Sequence, residues 1–105
     1  MAVRVTKEDF EEKVLKNALP VVVDFYSDSC VACKKLAPAL GNLEDNFEGK
    51  LDIVKVNTNF DTPLSEEYHV MSNPTVLLFK DGKEVGRKVG AVSYQDLEAW
   101  ILQNL

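Results

Sequence analysis

Apolar positions change period along this chain, and each change marks an element. Val21-Val22-Val23-Asp24-Phe25-Tyr26 is almost wholly apolar. That is the pattern of a central strand covered on both faces, and it predicts a strand over 21–27. Leu51 to Asn57 alternates Leu, Ile, Val and Val with Asp and Lys, a strand period. Thr75 to Phe79 is a third apolar run, Asp81-Gly82 is a hairpin signal, and Glu84 to Val89 returns as an antiparallel partner. Ala2 to Val5 is a candidate edge strand.

Helical spacing fills the intervals. Thr6 is placed as an N-cap with Asp9 three residues on, and Phe10, Val14, Leu15 and Ala18 follow before Pro20 closes the segment. Leu36, Leu40, Leu43 and Phe47 give a helix from Val31 to about Phe47, with Pro38 inside it as an expected kink and Gly49 ending it. Pro63 to His69 is a short helix. Ser93 caps a last one, whose buried stripe is expected to be Leu97, Trp100, Ile101 and Leu105. The order β-α-β-α-β-α-β-β-α predicts an α/β fold: a central mixed sheet, helices on both faces, and one closing antiparallel hairpin.

The 105 residues are read as one domain, 1–105, with no repeat, low-complexity run or linker, and a monomer is expected. Acidic residues outnumber basic ones 17 to 12, for a net charge of −5. Nucleic acid and anionic membrane are not expected partners, since both need a basic face. No apolar stretch approaches the ~20 residues of a membrane span. The first residues carry no apolar h-region, so no signal peptide and a cytoplasmic location are expected.

Chemistry enters with Cys30 and Cys33, the only two cysteines. They stand between the buried strand and the start of a helix. A helix N-terminus offers free N–H groups and partial positive charge, which favour a thiolate on the first cysteine. A structural disulfide closing so short a loop contributes only roughly 2 kcal/mol by the loop-entropy model. Zinc needs about four ligands; His69 is the only histidine, placed on the third helix, and a second chain would have to supply the rest. Redox chemistry is the favoured reading, with metal handling by both thiolates as the alternative. Asp24, within an apolar strand, is a candidate proton carrier, because burial raises a carboxyl pKa toward neutrality. Trp100, Glu66-Glu67 and Glu11-Glu12 are read as core and as solvated helix faces.

These pieces resemble the thioredoxin family over nearly the whole chain. The match lies in Val22-Val23-Asp24-Phe25, Cys-x-x-Cys-Lys at 30–34, Pro38, Lys55-Val56-Asn57, Asn73-Pro74-Thr75, Phe79-Lys80-Asp81-Gly82 and Val89-Gly90-Ala91. The resemblance implies a thioredoxin fold and a protein-disulfide reductase with no bound cofactor and no metal. It implies Cys30 as nucleophile and Cys33 as the resolving thiol, with Asp24 buried beneath Cys33 and Lys55 as its partner. It further implies a cis bond at Asn73-Pro74. Val31, Ala32, Asn73, Pro74, Gly90 and Ala91 are the expected substrate surface, where an extended segment is held by strand-like hydrogen bonds. The partners implied are protein disulfides and a reductase that recharges the dithiol. Departures fall at the site itself. Ser29 and Tyr26 stand where the family usually has Trp, Val31-Ala32 where it has Gly-Pro, and Asn73 where a β-branched residue is common. They point to a narrower substrate range. A non-catalytic binding module of the same fold is the other alternative.

Overall fold

The computed structural model describes residues 2–105. Strands β1 (Val3–Arg4), β2 (Val21–Tyr26), β3 (Asp52–Asn57), β4 (Thr75–Lys80) and β5 (Lys83–Val89) form one sheet in the order β1-β3-β2-β4-β5. β1 and β2 run parallel to β3, whereas β4 is antiparallel to β2 and β5 to β4. The mixed sheet with a closing hairpin is thus the arrangement that the sequence predicts. Among the described residues, no helix is long and apolar enough to cross a membrane.

Strand alternation sorts the core into two layers. Val21, Val23 and Phe25 pack with Phe10, Val14, Leu64, Leu77 and Phe79 on one face of the sheet. That face is covered by α1 (Lys7–Phe10, continued by a π-helical turn at Glu11–Leu15) and α3 (Thr62–Glu67). Val22 and Ile53 pack with Leu36, Leu40, Leu97, Trp100 and Ile101 on the other face, under α2 (Val31–Asn46) and α4 (Tyr94–Asn104). Asp24 shares the parity of Val22, so the same rule that buries the valines directs its carboxyl toward α2.

Local chemistry sets the boundaries. The Asp9 carboxylate accepts the Thr6 N–H at 2.6 Å, and the Ser93 hydroxyl accepts the Asp96 N–H at 3.2 Å, so both predicted caps form. Asp81 and Gly82 both take positive φ, 54° and 80°, as a two-residue hairpin turn of the primed type requires. A side chain at Gly82 would also meet the Leu15 carbonyl at 3.0 Å. Pro38 lies inside a continuous α2.

Three expectations shift, and one strand carries an irregularity. The first helix stops at Leu15, leaving Ala18 exposed. Asn17 ends it by donating to the Lys13 carbonyl at 3.1 Å and accepting the Leu19 N–H at 2.9 Å. α3 ends at Glu67, and His69 lies beyond it at φ 56°. Leu105 is exposed, because α4 ends at Asn104 and helical spacing no longer applies past that point. β5 carries a bulge: Leu78 pairs with Gly86 but Phe79 with Glu84, leaving Val85 as the extra residue.

Candidate active site

The sheet register gathers the site at one end. β2 leads out through Tyr26 to the loop before α2, and Cys30 is the N-cap of that helix. Phe25 pairs with Thr75, and Thr75 with Val89, so Pro74 and Gly90 stand next to one another beside the end of β2. The Gly90 N–H donates to the Pro74 carbonyl at 2.8 Å, and Gly90 adopts φ 92°, which a residue with a side chain rarely does. The Asn73–Pro74 bond is cis. Of the expected surface residues, Val31 is 67% exposed and Ala91 is exposed, Ala32, Asn73 and Gly90 are half-buried, and Pro74 is buried.

Cys30 and Cys33 are disulfide-bonded, with Cα atoms 5.2 Å apart. The Cys33 N–H donates to Cys30 Sγ at 3.1 Å, which is the cap bond of α2. One sulfur therefore sits where an orphan helix donor already points, and where a negative charge would gain most. Both cysteines are half-buried.

Asp24 lies in the same face of the sheet, under α2. Desolvation by burial pushes its carboxyl up to about 6, and the Lys55 charge offsets only part of that. Its Oδ1 is buried with no hydrogen-bond partner. A cavity of about 390 Å³ between α2 and the sheet reaches it, bordered by Leu40, Gly41, Ile53 and Lys55. The space is ample for water, the medium that would let such a carboxyl exchange protons.

A polar network beside the cysteines was not foreseen from sequence. Asn57, 2% exposed, donates its amide to the Asp28 carboxylate at 3.1 and 3.3 Å, and to the Tyr26 hydroxyl at 3.5 Å. Its amide oxygen accepts the Asn59 N–H at 2.9 Å, and the Asn59 side chain accepts the Asp28 N–H at 3.2 Å. The Thr58 hydroxyl donates to the Tyr26 carbonyl at 3.1 Å and accepts from the Asn73 amide at 3.1 Å. The only sequence signal was a short amide at the end of an apolar strand.

Among the described residues, no group of three or more His, Cys, Asp or Glu is placed to hold a metal ion. The sequence matches the family model described as Thioredoxin over residues 1–103. It is 38% identical to the thioredoxin of Rickettsia bellii over the full length of both chains. It is 42% identical to that of Pseudomonas aeruginosa, covering 98% of this chain and 95% of the relative. A thioredoxin C-2 of Corynebacterium nephridii is 39% identical, again over 98% and 95%.

Proposed function

Because the chain belongs to the thioredoxin family and is a thiol–disulfide oxidoreductase, we propose that it reduces disulfides in proteins by cycling the Cys30–Cys33 pair. In the reduced protein, the Cys30 thiolate attacks one sulfur of the substrate disulfide. A mixed disulfide forms and one substrate thiolate leaves. The Cys33 thiolate then attacks Cys30 Sγ, the second substrate thiol departs, and the Cys30–Cys33 bond closes. Two electrons have passed to the substrate, and a reductase returns two to the dithiol. Asp24 accepts the Cys33 proton, with water as the carrier between them, and the Lys55 charge limits how far its pKa rises. No cofactor is needed, and the cytoplasm is the compartment that suits a reducing dithiol.

The observation that carries the assignment of roles is the cap bond from the Cys33 N–H to Cys30 Sγ. The same bond in the reduced state favours a thiolate at Cys30. Cys33→Ser should accumulate mixed disulfides with substrate, visible as non-reducing gel bands that dithiothreitol removes. Cys30→Ser should neither trap nor reduce. Trapping by Cys30→Ser in place of Cys33→Ser would reverse the roles.

The substrate range follows from the surface. Ser29 is exposed, and no indole stands at 26 or 29 to widen the apolar contact area around Val31 and Ala91. Recognition then leans on backbone bonding beside Pro74 and on fewer partners. Ser29→Trp should raise the rate on a generic disulfide protein such as insulin. Wild-type rates already equal to those of the Pseudomonas relative would make this a general reductase.

A further inference from the structure

We propose that Thr58 is a positioning residue that fixes the width of the substrate cleft and so sets how well substrate is held. The proposal rests on the reading that substrate lies between Cys30 and the Asn73-Pro74 segment. Those two walls belong to different parts of the chain. One is the loop that leaves β2 at Tyr26; the other is the segment entering β4. No backbone ladder joins Asn73 to the loop after Tyr26, since the β2–β4 register ends at Phe25 and Thr75.

Thr58 spans that gap. Its N–H and its hydroxyl both donate to the Tyr26 carbonyl, at 2.8 and 3.1 Å. Both lone pairs of that carbonyl are thereby committed to one residue. The hydroxyl oxygen in turn accepts the Asn73 amide at 3.1 Å. A hydroxyl has one donor and two acceptor sites, so it serves here as a relay, with its donor on one wall and its acceptor on the other. Asn57 and Asn59 hold the same strand end to Asp28, so the relay is anchored against a rigid base. An apolar residue at 58 could hold the backbone bond but not the relay. Asn73 would then be free to rotate, and the substrate edge beside Pro74 would lose its fixed spacing from Cys30. Pre-organisation of this kind acts mainly on binding, because the free protein no longer has to be ordered by each substrate.

The test is single-turnover reduction of insulin by the pre-reduced protein, with the rate followed against insulin concentration. Thr58→Val keeps the side-chain shape and removes the relay. The half-saturation concentration should rise about 3- to 10-fold, the scale of one net hydrogen bond, while the limiting rate stays within about twofold. Thr58→Ser should restore the wild-type value. Asn73→Ala, which removes the other end of the relay and a residue of the substrate surface itself, should raise the half-saturation at least as much as Thr58→Val. The double variant should be no worse than Asn73→Ala alone. The midpoint potential of the dithiol should be unchanged in the Thr58 variants, whose side chain is bonded to the Tyr26 carbonyl and the Asn73 amide. An unchanged half-saturation in Thr58→Val overturns the proposal. So does a failure of Thr58→Ser to rescue, multiplicative effects in the double variant, or a shifted potential. Insulin reduction that survives Cys30→Ser would instead defeat the underlying reading and this proposal with it.

Discussion

Asp24 and Lys55 are register partners on adjacent parallel strands, yet the Lys55 ammonium lies over the Tyr26 ring, 5.5 Å from its centroid. An ammonium over an aromatic face gains on the order of 0.5–2 kcal/mol. Placed there, the charge eases the desolvation of the Asp24 carboxylate without cancelling it. The carboxyl, with one oxygen buried and unbonded, settles at about 6 from an ordinary 3.8.

Stability should carry that signature with a definite sign. A group whose folded pKa is raised contributes stability that is full below its unfolded pKa and is lost as pH rises through the folded one. For Asp24 the loss falls between about pH 4 and pH 6 and amounts to ~3 kcal/mol at most. Asp24→Asn removes it. The variant's advantage over wild type should therefore grow across that window and be constant above it. Guanidinium unfolding of the oxidised proteins at pH 4, 5 and 8 reads this directly, and a pH-independent difference would mean that Asp24 is not desolvated.

The same carboxyl should govern the second chemical step. Only ionised Asp24 can accept the Cys33 proton, so resolution of a Cys30 mixed disulfide should slow as pH falls through about 6. Asp24→Asn should lack that inflection and be slower at pH 7 by about a hundredfold, the low side of what general-base catalysis contributes. Release of a labelled peptide from the preformed mixed disulfide measures it. An inflection that persists in the variant would assign the proton to another group.

Ala32 occupies the second position of α2, where a proline would offer no N–H. Cys30 Sγ already caps the helix through the Cys33 N–H. A second donor beside it stabilises the thiolate and hence the reduced form. The midpoint potential should be less negative than the ~−270 mV of thioredoxin. Val31→Gly combined with Ala32→Pro should shift it in the reducing direction, as measured by equilibration with glutathione. A double variant that is no more reducing removes the argument.

Much of this was written in local pattern. The almost wholly apolar run at 21–26 marked a strand covered on both sides, and two core layers flank it. The Asp-Gly pair marked a turn, and both residues take the positive φ that it needs. What escaped was relational. Nothing in the sequence says that the Asn57 amide faces Asp28, or that the Asn73 amide faces the Thr58 hydroxyl, because these groups come together only once three chain segments meet at one sheet end. Helix ends were also misjudged where a side chain interrupted the period, as Asn17 does after Leu15. The bulge at Val85 left no mark beyond a glycine in the strand.

That glycine supports the last prediction. A Cβ on Gly86 would sit 2.9 Å from Trp100 Nε1 and 3.5 Å from two ring carbons. Trp100 is 7% exposed in the core under α4, so its ring cannot swing aside as a surface side chain would. The backbone at 86 is outside the left-handed region, unlike Gly49, Gly82 and Gly90. Strain at this site is therefore steric and not conformational. Gly86→Ala should cost about 1–3 kcal/mol by overpacking. Trp100→Phe removes the Nε1 edge and should be destabilising alone, through the cavity that it leaves. In that background Gly86→Ala should cost nothing or stabilise slightly, because alanine restricts the unfolded chain more than glycine does. Urea denaturation of the four proteins closes the cycle, with an expected coupling of about 1–3 kcal/mol. An equal cost of Gly86→Ala in both backgrounds would show that the indole is not what the glycine accommodates.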